Sequence, residues 1–151
     1  MLDKIVEKTK ERVSETKKVN SLDRLKYKIL NIEVKFNYPF KKALSSDDIA
    51  IIAEVKKASP SKGLIAENFD YVSIAKEYEA AGASPISVLT EPYFFQGSDD
   101  YLKEIAKNVK IPVLRKDFVV DEYMIYEAKL LGASAVLLIA AILSDEQLEQ
   151  Y

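Results

Sequence analysis

Charged side chains stand at the ends of two apolar segments that have the character of buried strands. Glu54 and Lys56 end the first segment, and Lys116 ends the third. Side chains alternate along a strand, and in a βα barrel alternate strands supply the same interior layer at the carboxyl ends. The pattern predicts two ammonium groups beside one carboxylate. Such a cluster can hold an anion, and a buried lysine near another cation has a lowered pKa and can act as a general acid.

Two other interpretations of these three residues stay open at the level of sequence. Each charge can belong to an ordinary ion pair at a strand end. A lysine can also form a Schiff base with a carbonyl substrate, and residue spacing does not separate that chemistry from acid catalysis.

Aromatic residues follow the same strands. Phe94 and Phe95 come after the second strand and Phe118 comes after the third, so they can line a slot for a flat aromatic group or belong to the core. The loop at residues 59–63, Ser-Pro-Ser-Lys-Gly, is rich in hydroxyls and can accept a phosphate, although it is also an ordinary turn.

Composition narrows the chemistry further. The 151 residues contain no Cys and no His, which excludes disulfides, thiolate nucleophiles and a Ser-His-Asp triad. There is no Walker A sequence, no dinucleotide fingerprint and no cluster with metal-ligand spacing. Catalysis is therefore expected to use Lys, Asp, Glu, Tyr or backbone groups.

Four predicted strands alternate with helices after residue 48. The strands are expected at residues 49–55, 85–90, 112–116 and 135–139, and the first has the continuous apolar run of a strand buried on both faces. Helix ends are indicated by capping residues and glycines, namely Asp70 with Ala81 and Gly82, Gly97–Asp100, Asp121 with Gly132, and the capping box of Ser144 and Gln147.

This alternation predicts an α/β fold with a parallel sheet and outer helices. Two architectures fit the order, a doubly wound open sheet and a (β/α)8 barrel. A barrel needs about 250 residues, so four βα units would supply half of one.

The residues before the first strand have a different character. An amphipathic helix is predicted over residues 2–18, with a second helix capped by Asn20 or Ser21 and a further turn at residues 40–45. We therefore expect a helical extension at residues 1–46 and a half barrel at residues 47–151.

Charge is unevenly distributed between the two parts. Residues 1–43 hold twelve Lys or Arg and six Asp or Glu, against ten and eighteen in residues 44–151. A basic arm can meet nucleic acid, but acids alternate with the bases and no aromatic is interleaved with the lysines of the first helix. We expect a solvated helix, no nucleic-acid partner, no membrane partner, no secretory leader and a cytoplasmic location.

Three ordered blocks of this sequence resemble the indole-3-glycerol phosphate synthase family. The first is Ile51–Gly63, the second combines Ser87–Glu91 with Phe94–Ser98, and the third is Pro112–Phe118. Gly132-Ala133 with Leu137–Ile139 matches the family's fourth strand, and the helical extension is also a family feature. The resemblance covers essentially the whole chain. It implies the first four βα units of a (β/α)8 TIM-type barrel.

The family is a carboxy-lyase of tryptophan biosynthesis that closes an indole ring. Its substrate is 1-(2-carboxyphenylamino)-1-deoxyribulose 5-phosphate, and carbon dioxide and water are released. The resemblance implies that Lys116 is the general acid, that Lys56 contacts anionic groups of the substrate and that Glu54 orients both lysines. It further implies substrate contacts from the residues Ser59, Phe95, Phe118 and Leu137, and no cofactor or metal.

Departures from the family pattern lie outside these residues. Met124 stands where Gln is usual, and Ser134 stands where Asp is usual. The family's catalytic base after the fourth helix has no counterpart in these residues, nor do the later groups of the site, including the main phosphate site.

Three hypotheses follow for the chain. In the first it is an inactive amino-terminal half of the synthase, whose open sheet edges and apolar face promote self-association. In the second, two copies form an eight-stranded scaffold that binds anionic ligands without turnover. The third is a nucleic-acid binder that uses the basic arm.

Overall fold

The computed structural model describes residues 1–32, 34, 37–45 and 48–151. Its centre is a four-stranded parallel sheet. The strands, in spatial order, are Ala53–Val55 (β1), Ile86–Leu89 (β4), Val113–Lys116 (β5) and Ala135–Val136 (β6). Along the chain, a separate small antiparallel pair lies between β1 and β4 and consists of Ala58–Ser59 (β2) and Gly63–Leu64 (β3). Spatial order therefore follows chain order, as in a barrel.

Helices connect the strands and cover one face of the sheet. They are Tyr71–Ala80 (α4), Asp99–Asn108 (α5) and Glu122–Leu131 (α6), with Asp145–Gln150 (α7) after β6. Residues such as Val55, Val88 and Val113 point to this face and are packed with Leu102 and Ile105 of α5. The described helices do not sandwich the sheet, so the partial-barrel prediction is correct and the doubly wound alternative is not.

Local chemistry explains where these helices begin and end. Ser98, Asp121 and Ser144 each accept a hydrogen bond from a backbone N–H of the first turn, and Ser144 forms the predicted box with Gln147. Gly132 closes α6 with φ of 96°, a left-handed conformation that favours glycine.

The described residues before β1 form three helices, of which the first two pack against α6. They are Leu2–Val19 (α1), Leu22–Leu30 (α2) and Pro39–Leu44 (α3), and Ser21 rather than Asn20 caps α2. Val13 of α1 and Leu25 of α2 share a core cluster with Tyr123 and Met124 of α6. The boundary predicted between residues 46 and 47 falls on residues outside the described part of the chain.

The first predicted strand is shorter and more exposed than the sequence indicates. Only Ala53–Val55 pairs with β4, while Ile49 is 92% exposed and Ile51 is 62% exposed. Burial on both faces was the wrong prediction, because Val55 is buried against the helices whereas Glu54, on the opposite face, lines an open cavity. The fourth predicted strand shortens to Ala135–Val136, and among the described strands β6 pairs with β5 alone.

No helix in the described ranges is long and apolar enough to span a membrane.

Candidate active site

A small cavity of about 90 Å³ opens at the carboxyl edge of the sheet, on the face that the helices do not cover. Each main strand or the loop after it contributes to its lining, which consists of Glu54, Lys56, Leu89, Phe95, Lys116, Asp117, Phe118, Leu137 and Ile139.

Strand register places the charged residues of this cavity. Glu54 and Lys56 are two positions apart and therefore share a face, and Lys116 is paired with Leu89 across β4 and β5. The structure brings the three charges together. Glu54 Oε1 accepts a hydrogen bond from Lys56 Nζ at 2.6 Å, and Glu54 Oε2 accepts one from Lys116 Nζ at 2.8 Å.

Electrostatics leave this cluster with more positive than negative charge. Burial raises the pKa of the Glu54 carboxyl, but hydrogen bonds from Lys116 and Lys56 outweigh that cost and hold the pKa below its usual value. Glu54 is thus an anion at neutral pH. Two ammonium groups share this one carboxylate, and each lysine side chain is about a third exposed, so both can bind a further anion.

Aromatic rings form the wall beside the charges. The centroids of Phe95 and Phe118 are 6.1 Å apart with an interplanar angle of 36°, and Leu137 lines the same cavity. This arrangement suits a flat apolar group placed next to an anion. Phe94 does not line the cavity, although the sequence makes it an equal candidate.

Ser59 lies away from this group. It belongs to the β2–β3 pair, which was not predicted from the sequence. The Ser59 Oγ accepts a hydrogen bond from the backbone N–H of Lys62 at 3.2 Å. The hydroxyl does not line the cavity.

A buried ionic network lies behind the cavity, on the other face of β5. The Arg115 side chain is 1% exposed and donates to Asp99 at 2.8 Å and to Glu127 at 2.8 Å. Burial lowers the pKa of Arg115, but Asp99, Asp117 and Glu127 together raise it above its usual value. The guanidinium is therefore permanently charged and ties β5 to the start of α5 and to the middle of α6.

Asp117 joins that network to the amino-terminal extension. Its fully buried carboxylate accepts two hydrogen bonds from Arg12 of α1, both at 2.9 Å, and one from Thr90 Oγ1 at 2.6 Å. It also accepts the backbone N–H of Phe118 at 2.8 Å. Asp117 thus holds in place the segment that carries Lys116 and Phe118.

Sequence reasoning missed this network, although one signal pointed to it. Arg115 alternates with Lys116 in an apolar strand and so must face the helices, where a buried guanidinium requires acidic partners. The identity of these acidic partners depends on how the helices pack on the sheet, which the residues adjacent to Arg115 in sequence do not reveal.

Comparison with known proteins agrees with this geometry. The family model described as indole-3-glycerol phosphate synthase matches residues 2–151. A protein of that name from Ruminiclostridium cellulolyticum is 55% identical over 151 residues, and one from Endomicrobium trichonymphae is 56% identical over 151 residues. Each alignment covers 100% of this chain and 58% of the relative.

A third relative, from Lachnoclostridium phytofermentans, carries the same name and is 48% identical over 159 residues, covering 98% of this chain and 59% of its own length. The chain thus spans little more than half the length of the curated relatives that it matches. The family match extends over almost every residue, so the chain belongs to the indole-3-glycerol phosphate synthase family.

Proposed function

We propose that this chain forms the amino-terminal wall of an indole-3-glycerol phosphate synthase active site. The proposed substrate is 1-(2-carboxyphenylamino)-1-deoxyribulose 5-phosphate, which is closed to an indole with loss of carbon dioxide and water. One observation carries the proposal: Glu54 bridges Lys56 and Lys116 at 2.6 Å and 2.8 Å, directly beside the rings of Phe95 and Phe118.

Lys116 is the proposed general acid. Its ammonium group donates a proton to the substrate carbonyl oxygen as the aromatic carbon attacks the carbonyl carbon, so that no alkoxide has to form in the cavity. Glu54 accepts one Lys116 hydrogen bond and keeps the ammonium aimed at the cavity. This orienting role requires an ionised carboxylate, which the lowered pKa of Glu54 supplies at neutral pH.

Lys56 and the rings are proposed to hold the aromatic half of the substrate. The aromatic ring fits between Phe95 and Phe118 with Leu137 at the wall, while its carboxylate meets Lys56. Losing that carboxylate as carbon dioxide removes the charge that Lys56 neutralised. Ser59 is proposed to bind substrate through its hydroxyl proton, and this needs the β2–β3 segment to close over the cavity.

The test uses 2-aminobenzoate (anthranilate), a fluorescent fragment of the proposed substrate, titrated with the 151-residue chain. We expect Lys56→Met to weaken anthranilate binding by about tenfold or more, because the charge-assisted hydrogen bond to the anthranilate carboxylate is lost. The exposed Lys103 of α5 supplies the control Lys103→Met, which we expect to bind as the parent does. Equal affinity in all three proteins would overturn the proposed site.

Turnover is measured on the same samples with the carboxyphenylamino substrate, by the fluorescence of the indole product. The sequence has no Trp, so protein background at indole excitation is low. We expect binding without turnover, because both carboxylates that line the described cavity are already paired with cations. Glu54 pairs with Lys56 and Asp117 pairs with Arg12, so neither is free to serve as the base. Turnover that is proportional to chain concentration would contradict that expectation.

A second candidate function is a self-associating scaffold that binds anionic ligands, and the exposed apolar residues favour it. Ile49, Ile51 and Ile52 are 92%, 62% and 46% exposed beside the free edge of β1. Two copies could cover these residues by pairing their sheets. Sedimentation velocity over a concentration series separates the two functions, because a scaffold requires a dimer and the wall of a larger site does not.

A further inference from the structure

Glu91 is a fully buried carboxylate with an unusual set of partners. Among the described residues it forms no ion pair with a Lys or Arg, and its oxygens instead accept three consecutive backbone N–H groups. These are the amides of Tyr93 at 3.0 Å, Phe94 at 2.7 Å and Phe95 at 3.0 Å. A carboxylate can replace its lost hydration with such a set of amide dipoles.

The turn that these bonds hold has little freedom. The Gly97 N–H returns to the Glu91 carbonyl at 2.8 Å, and Gln96 between them has φ of 51°, in the left-handed region. A Cβ on Gly97 would lie 2.5 Å from the carbonyl oxygen of Leu89, so only glycine fits there. The turn is therefore closed at both ends, with the Glu91 side chain inside it.

We propose that Glu91 is a positioning residue, whose buried carboxylate holds the turn that carries Phe95 and thereby sets the width of the aromatic slot. Phe95 reaches the cavity only through this turn, and its ring stands 6.1 Å from that of Phe118. Glu91 itself does not line the cavity. The inference rests on the proposed function only for the identity of the aromatic ligand.

Replacing the carboxylate by an amide breaks this arrangement without changing its shape. In Glu91→Gln one oxygen becomes an NH2 group, which cannot accept a hydrogen bond. At least one backbone N–H of the turn then faces another donor instead of an acceptor. A buried donor left without an acceptor is costly, so the turn shifts to find water or another acceptor. Phe95 moves with it.

The chain provides a matched control in Glu79 of α4. Its carboxylate also accepts two backbone N–H groups, from Lys110 at 2.6 Å and Ile111 at 3.1 Å, but at the opposite end of β5. Both amides bond to the same oxygen, Oε1, so Glu79→Gln removes a negative charge at an amide contact away from the cavity and keeps an oxygen for both bonds. A loss caused by removing charge alone would affect both variants, whereas a positioning role affects only Glu91→Gln, because the Glu91 carboxylate uses both oxygens.

Two measurements test the proposal on folded protein, with the far-ultraviolet spectrum and melting midpoint recorded for each variant. We expect Glu91→Gln to bind anthranilate about tenfold more weakly than the parent, and Glu79→Gln to bind it equally well. We also expect the nuclear Overhauser contact between the Phe95 and Phe118 ring protons to be present in the parent and in Glu79→Gln, and lost in Glu91→Gln.

The ring contact is measured without ligand, so it decides the proposal even if the parent fails to bind anthranilate, a result that would count against the proposed function alone. An unchanged ring contact in Glu91→Gln would overturn the positioning role, as would an equal loss in Glu79→Gln. If Glu91→Gln does not fold, Glu91→Asp carries the test. Its shorter carboxylate cannot reach all three amides, so we expect a weakened ring contact, and an unchanged one overturns the proposal.

Discussion

Arg115 and Lys116 are neighbours on β5 and carry the same charge, yet their surroundings differ completely. The Arg115 side chain is 1% exposed and has Asp99, Asp117 and Glu127 as partners. The Lys116 side chain is 36% exposed, faces the cavity and shares its one partner, Glu54, with Lys56. Strand alternation sends the first cation into a network of excess acid and the second into a cluster of excess base.

This difference separates a buried structural cation from one that is exposed to the cavity. The Arg115 guanidinium is buried and uses Nε, Nη1 and Nη2 in hydrogen bonds to Thr90, α6 and Asp99, so it does not face a ligand site. Lys116 is held in place by one bond and keeps two N–H donors directed at open space. The comparison can be tested by changing each side separately.

The largest effect is expected when Arg115 is replaced. Arg115→Met removes a buried cation from Asp99, Asp117 and Glu127, and we expect the free energy of unfolding to fall by about 3–5 kcal/mol. Urea unfolding measures this value. Lys116→Met is the comparison, and we expect it to change the unfolding free energy by less than about 1 kcal/mol, because its ion pair is solvated.

A smaller effect is expected where α1 meets the strand ends. Arg12→Ala removes two hydrogen bonds from the buried Asp117 carboxylate, and we expect a loss of about 1–3 kcal/mol. Lys17 is on the same helix as Arg12 and pairs with Asp121, and both of these side chains are about a third exposed. We expect Lys17→Ala to lower the free energy of unfolding by less than about 1 kcal/mol. Equal losses in urea unfolding would show that burial does not distinguish the two contacts.

The smallest effect is a difference in pH dependence between the two clusters. The lowered pKa of Glu54 gives a stabilisation that is complete above its unfolded pKa near 4.5 and is lost as the pH falls through the folded pKa. Burial raises the pKa of Glu127 despite the nearby Arg115, so the folded state favours its protonated form, and that contribution to stability falls as the pH rises above about 4.5.

Glu54→Gln and Glu127→Gln remove these contributions one at a time. Below about pH 4.5, we expect the parent to gain stability relative to Glu54→Gln as the pH rises, and above about pH 4.5 we expect it to lose stability relative to Glu127→Gln. Urea unfolding at several pH values measures both slopes. Slopes of the same sign would mean that the two faces of the sheet do not differ as described.

The elements that could be predicted from the sequence depend on local chemistry. The caps Asp70, Asp121 and Ser144 bond to amides two or three residues away, so the residue types alone reveal them. Alternation along β1 and β5 likewise placed Glu54 and Lys116 at one edge. The prediction for the first half of the first strand was wrong. Whether Ile49 and Ile51 are buried depends on elements that pack against them in space, and residues adjacent in sequence do not specify those elements.

Features built from distant residues were not predicted. Arg12 and Asp117 are 105 positions apart, and only the packing of α1 brings them together. Ser59 was expected near the other site residues, but the β2–β3 pair turns its Oγ toward the Lys62 amide. Glu91 was not predicted either, although its contacts are local: a glutamate that precedes a tight turn can bond the amides of that turn.

One measurement tests directly whether the Lys56 and Lys116 ammonium groups face a bound aromatic acid. The lysine side chains are labelled with ¹³C, and the Cε–Hε signals are followed by nuclear magnetic resonance as anthranilate is added. We predict saturable shifts for Lys56 and Lys116, and none for exposed lysines such as Lys103. Shifts confined to surface lysines, or none at all at saturating anthranilate, would contradict the assignment of this cavity as the active-site wall.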